Sequence, residues 1–116
     1  MGAVSKNLTE DEAQAIALYY AQQTFSPVRE QGNKALAAQG KQLHLDLCND
    51  CHGKLGTSAI DDAPILSGQR KPYLVRQFEH MSEHKRYMPR RMKQKFRKLN
   101  AQDKLALIEF YTTKVD

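Results

Sequence analysis

A chain of 116 residues with 41% hydrophobic content has the material for one domain with a modest core. No stretch approaches the roughly 18 apolar residues of a membrane span, and Met1 to Lys6 contain no apolar leader segment, so the sequence reads as soluble and without a signal peptide. The formal charge of +5 is unevenly placed: eight cations (Lys85, Arg86, Arg90, Arg91, Lys93, Lys95, Arg97 and Lys98) follow one another without an intervening acid.

In chain order, the pattern predicts helices and no strand pair. Residues 8–23 open with Thr9 and, three positions on, Glu12, the capping-box spacing, and carry Ala13, Ile16, Ala17 and Tyr20 at helical intervals. Ser26-Pro27 interrupts that helix. A second helix is predicted over 34–47, with Leu36, Gly40, Leu43 and Leu47 on one side. Residues 53–70 hold Gly53, Gly56, Pro64 and Gly68 without a sustained period and read as loop. A third helix over 72–84 carries the stripe Tyr73, Leu74, Phe78 and Met81, with Pro72 in its first turn. A last helix over 101–113 is predicted to turn Leu105, Ile108 and Tyr111 inward. Residues 8–20 can be laid on 99–111 without a gap, matching Leu8 with Leu99, Ile16 with Leu107 and Tyr20 with Tyr111, so the first helix looks like a copy of the last.

The end of the second helix carries the chemistry. Cys48-Asn49-Asp50-Cys51-His52 sets two thiols three apart with an imidazole directly after the second. Covalent haem attachment needs that order: each thiol adds to one porphyrin vinyl, and the adjoining imidazole reaches the iron from the same side. A thioredoxin-like dithiol would want strand–helix alternation, which is lacking here. Structural zinc would need about two further ligands, for which only His44, His80 and His84 are candidates. Both cysteines belong to the motif, which leaves none for a structural disulfide.

These residues resemble the class I cytochromes c, and most closely the cytochrome c4-like group that includes the cytochrome subunits of flavocytochrome c sulfide dehydrogenases. The resemblance spans residues 32–114 and rests on the Cys48–His52 motif, on Gly40 eight positions before Cys48, on residues 63–69 and 73–78, and on the last helix. It implies an all-α class I cytochrome c fold around one covalently attached haem c, with residues 1–31 as an N-terminal helical extension and 32–116 as a monohaem domain. Gly40 is implied to let the second and last helices cross closely near Phe110 or Tyr111. Pro64 is implied to accept the Nδ1 proton of His52, which fixes the ring and strengthens the ligand. Members of this group often hold two haems; one motif here permits one.

A carrier iron with both axial positions filled reorganises little and leaves no site for oxygen, and a thioether raises its potential. Met81 lies on the apolar stripe of a predicted helix and reads as packing, leaving Met92 and Met88 as candidate sixth ligands. Met92 stands seven residues before Leu99, where the resemblance expects the ligand, whereas Met88 has Pro89 beside it, a frequent pairing in the same proteins. A histidine is the third candidate for the sixth position; His80 and His84, four apart, are predicted to share a helix face, which fits a metal pair but is expected first of all to be a solvated polar face.

The resulting expectation is a periplasmic electron carrier, not an enzyme in itself, with Ile60, Ile65, Leu66, Tyr73, Leu74, Phe78 and Phe96 keeping water from the iron. The cation run brackets both methionines and suits an acidic redox partner; no nucleic-acid-reading motif accompanies it. The alternative is a haem-bearing, electron-accepting subunit of a larger oxidoreductase with a flavoprotein partner. A third possibility is a gas-binding or catalytic haem with an open sixth position.

Overall fold

The computed structural model describes residues 2–60 and 63–113. Met1 and residues 114–116, which the resemblance and the domain boundaries touch, lie outside them. Among the described residues there are seven helices, α1 (Gly2–Ser5), α2 (Glu10–Ala21), α3 (Lys34–Leu47), α4 (Gly53–Gly56), α5 (Lys71–Ser82), α6 (Arg90–Phe96) and α7 (Ala101–Thr112). Among the same residues the one β feature is an isolated parallel bridge between Glu30 and Thr113. The fold is all-α, as the sequence predicts.

Local chemistry fixes the long helices. Thr9 and Glu12 close a reciprocal box at the start of α2, Glu12 N donating to Thr9 Oγ1 at 3.2 Å and Thr9 N to Glu12 Oε2 at 2.8 Å. Asn100 and Asp103 repeat it at the start of α7, both bonds at 2.9 Å. The side chain of Asn33 caps α3 by accepting from Leu36 N. α5 stops two residues earlier than predicted because His84 takes a left-handed conformation, φ 59°, while Lys85 N donates to the His80 carbonyl at 2.8 Å. His84 is therefore past the helix end, and the predicted shared face with His80 does not exist.

Burial comes from the crossing of α3 and α7. A Cβ on Gly40 would stand 2.0 Å from the Ala106 carbonyl oxygen and 2.9 Å from Phe110 Cβ, so only glycine lets the backbones approach this closely. Ala106, Leu107, Ile108, Phe110 and Tyr111 are buried along α7. Leu105 is not; at 100° per residue it projects away from the seam of Leu107 and Tyr111 and is half exposed, against the inward reading. α5 adds Leu74 and Met81 to the core, whereas Tyr73 on its stripe is 47% exposed. α6 is absent from the sequence reading: it has no side-chain cap, and its apolar positions are Met92 and Phe96, four apart.

α2 contributes nothing to this core. None of its residues is buried. Its register with α7 extends to the capping boxes and sets Ala15, Ile16, Tyr19 and Tyr20 against Ala106, Leu107, Phe110 and Tyr111. Those positions are buried in α7 and exposed in α2. After α2 the chain forms a strap along the domain: Val28 N donates to the Gly68 carbonyl and Glu30 N to the Thr112 carbonyl, both at 2.8 Å.

The crossing yields a stability prediction. In an exposed helix, Gly→Ala would gain about 1 kcal/mol of helix propensity. For Gly40→Ala the helices must part, with an overpacking cost of about 3 kcal/mol or more, so urea denaturation is expected to show a net loss of roughly 2 kcal/mol. A midpoint equal to or above the native one would show that the helices do not cross at this glycine.

Candidate haem site

The motif follows directly on α3, whose last turn delivers it to the core. Cys48 caps the helix through its N–H to the His44 carbonyl at 2.8 Å, and His52 N donates to the Cys48 carbonyl at 2.9 Å, which coils the pentapeptide into one tight turn. Cys48 is half-buried, Cys51 exposed and His52 buried, all on that turn, and both thiols are free. His52 Nδ1 lies 3.2 Å from the Pro64 carbonyl oxygen. A carbonyl only accepts, so Nδ1 carries the proton and Nε2 presents its lone pair, the tautomer a metal needs.

The segment bearing Pro64 is held from both sides. Leu66 N and Ser67 N donate to the Gly56 carbonyl at 2.8 and 2.9 Å, and Gly56 N donates to the His52 carbonyl at 3.1 Å. Gly56 ends α4, a turn in which Lys54 and Leu55 both adopt positive φ, so that this stretch is a tight reversal rather than a regular helix. The sequence reads it as loop.

Behind Cys48 lies a buried polar chain that sequence reasoning misses. His44 has no solvent exposure; its Nδ1 is 2.8 Å from the Tyr111 hydroxyl and its Nε2 is 3.3 Å from Asn49 Oδ1. Burial holds the His44 pKa below the ordinary histidine value, against the raising effect of the Asn49 bond. Burial also pushes the Cys48 thiol up, partly offset by its hydrogen bond with Tyr111 and by the charge of Lys95. The Tyr111 hydroxyl is raised far beyond its usual value, again chiefly by burial. The available signal was His44 four positions before Cys48 on the helix face that meets α7.

The methionines lie on the α5–α6 side. Met81 and Met88 are buried in the core, and Met92 on α6 is half-buried and packs against it. Of the expected apolar lining, Leu74 and Phe96 are buried, Ile65, Leu66 and Phe78 partly so, and Ile60 and Tyr73 about half exposed. Lys95 of α6 pairs with Asp50 at 2.8 Å, joining the cation run to the motif turn and lowering the Asp50 pKa. Six of the eight cations in the run are exposed. Among the described residues no three His, Cys, Asp or Glu side chains converge as a metal cluster.

Comparison with solved structures bears on the fold. The chain is similar to reduced recombinant cytochrome c4 from Pseudomonas stutzeri, with a TM-score of 0.73 and 26% identity over 93% of this chain. The fold is that of a class I cytochrome c. The chain spans 62% of the length of that cytochrome c4 chain. No protein-family model and no curated protein matches the sequence. The residues fit the haem c of a cytochrome: two free thiols flank a turn whose histidine has Nδ1 engaged and Nε2 available.

The cytochrome fold's buried His44 makes stability pH-dependent. The unfolded chain protonates this imidazole near its ordinary value of about 6.5, whereas the folded state resists protonation to lower pH. Its contribution is complete above about pH 6.5 and declines as pH falls toward the depressed folded value, by at most about 1.4 kcal/mol per pH unit. Denaturation from pH 7 to 5 is expected to show this acid-side slope in the native chain and a shallower one in His44→Gln. Equal slopes would mean that the imidazole titrates freely in the fold.

Proposed function

We propose that this chain is an electron-transfer c-type cytochrome domain, with one haem c joined to Cys48 and Cys51 as thioethers and with His52 and Met92 as axial ligands. The observation that carries the reading is the His52–Pro64 contact: it leaves Nε2 as the free imidazole nitrogen on a turn flanked by both attachment thiols. When bound, the haem iron supplies one-electron exchange between its ferric and ferrous states. The chain's own residues attach and orient the group and keep water away, and no substrate bond is made or broken.

Met92 is supported by its register with Leu99 and by its packing against the core from α6. The buried Met88 is the runner-up. A ferric thioether–haem pair shows a weak near-infrared charge-transfer band. That band is expected in the native holoprotein and in Met88→Ala and is expected to be lost in Met92→Ala, whose reduced form should then bind carbon monoxide readily. The opposite pattern would make Met88 the ligand, and a colourless native chain after proper maturation would remove the haem reading altogether.

The partner we propose is a redox protein with an acidic docking surface, met in the periplasm. Its attraction comes from the exposed cations around α6, tied to the motif turn through Lys95 and Asp50. Steering of this kind raises association rates by roughly tenfold or more at low salt and is screened as the Debye length falls from about 30 Å at 0.01 M to 3 Å at 1 M. The second-order electron-transfer rate is expected to drop steeply over that range, and a flat response would exclude the docking role.

The second reading, an electron-accepting subunit of a larger oxidoreductase such as a flavoprotein complex, draws support from α2. In this reading residues 1–31 form an extension to the haem domain of residues 32–116, and the apolar face that α7 buries is left open on α2 for another subunit. Co-migration of the protein from its source with a flavin-bearing subunit in size-exclusion chromatography favours it; migration as a lone chain favours the free carrier.

A further inference from the structure

Arg29 belongs to neither the motif nor its ligand set, yet it closes the hydrogen-bond circuit around the cysteine turn. One guanidinium nitrogen, Nη1, donates to Ser67 Oγ at 3.0 Å and to the Tyr111 carbonyl at 3.1 Å. Its backbone is fixed on both sides by the strap bonds of Val28 and Glu30. Ser67 is buried, three residues beyond Pro64, and its own N–H is held by Gly56. Tyr111 is a hub: its carbonyl receives Gly68 N at 2.8 Å as well as Arg29, while its hydroxyl meets His44 behind Cys48. The circuit thus runs from His52 through Pro64 and Ser67 to Arg29, and from there through Tyr111 and His44 back to the helix that ends at Cys48.

We infer that Arg29, acting through Ser67, is a positioning residue that holds the Pro64 carbonyl on His52 Nδ1. The inference rests on the haem c reading above. The segment 63–68 has no helix or strand to stiffen it, so its position depends on these few anchors. At 3.2 Å the His52–Pro64 contact is at the long end of the N–H···O range, where a small displacement of the carbonyl weakens the bond markedly. Arg29 is the anchor supplied by a side chain from the strap, and its fixed guanidinium geometry suits two acceptors at once. A firm Nδ1–H bond gives the imidazole more anionic character and favours the ferric iron. Loosening it therefore moves the potential upward, the opposite of what simple loss of a nearby cation would do.

The test uses the full holoprotein and variants that leave the charge unchanged, Arg29→Lys and Ser67→Ala. Proton NMR of the reduced protein reads the exchange rate of the His52 Nδ1 proton, and equilibrium titration reads the potential. Both variants are expected to speed that exchange tenfold or more and to shift the potential upward, and the double variant should go no further than either alone. Glu109→Gln serves as the stability control for the exchange rate alone, since its lost charge acts on the potential; it weakens the contacts of Glu109 with Lys71, Asn33 and Thr113 without touching the circuit. Native exchange and potential in both single variants, or an equally accelerated exchange in Glu109→Gln, would overturn the role. Should Arg29→Lys not fold, Ser67→Ala decides alone. A native chain that takes up no haem sinks the cofactor reading and this inference together, whereas a haem-loaded chain with unresponsive variants sinks only the part played by Arg29.

Discussion

The close crossing of α3 and α7 at Gly40 is the constraint on which the other features depend. Because the Ala106 carbonyl stands where a Cβ would be, the two helices share one seam, and the end of α7 reaches the end of α3. Tyr111 is thereby set behind Cys48 with its hydroxyl on His44, and its carbonyl is in reach of Gly68 and Arg29. One helix–helix contact therefore organises both flanks of the cysteine turn. A separation of even one methyl width would be felt at the hydroxyl and at the carbonyl together, since a packed interior transmits displacement rather than absorbing it.

Charge is arranged on a separate principle. The core holds its polar groups in pairs, as His44 does with Tyr111 and Asn49, and no buried side-chain polar atom among the described residues lacks a partner. The cations, by contrast, are mostly left in solvent around α6. The Lys95–Asp50 pair contributes little stability, since Asp50 is 70% exposed and such pairs are worth about 0–1 kcal/mol. Its effect is geometric, tying α6, which carries Met92, to the turn that carries the thiols.

The motif and the four longer helices were legible because each has a local or periodic signature, in thiol spacing, capping residues or spaced apolar positions, whereas the Gly40 crossing was implied by the family resemblance and not by any local pattern. α6 was not legible, since its two apolar residues four positions apart give no sustained period and nothing caps it. The outward turn of Leu105 was missed for a related reason. A spacing of three links it to Ile108 as well as any core residue, and only the observed seam, through Leu107 and Tyr111, decides which side faces in. His84 and Arg29 are harder cases. The first ends its helix by adopting a positive φ that sequence does not signal for histidine, and the second acquires its contacts from segments 38 and 82 residues away. Pairings of that range are set by tertiary structure, and no local pattern encodes them.

α2 and α7 show how far a shared pattern determines structure. Both are 12 residues long, both begin with a reciprocal capping box, and their residues match without a gap, so the same short-range chemistry makes each a helix. Their environments differ completely: α7 is buried along six positions, and α2 along none. Isolated helices of this length are marginal in water, and most helical stability comes from packing an apolar face. α2 therefore depends on its cap, while carrying Ile16, Tyr19 and Tyr20 at the positions where α7 carries Leu107, Phe110 and Tyr111. Such a face, presented by a helix that owes nothing to its own domain's core, gains stability from whatever covers it. That asymmetry separates the two functional readings physically: a free carrier leaves the face of α2 in water, and a subunit of a larger assembly buries it.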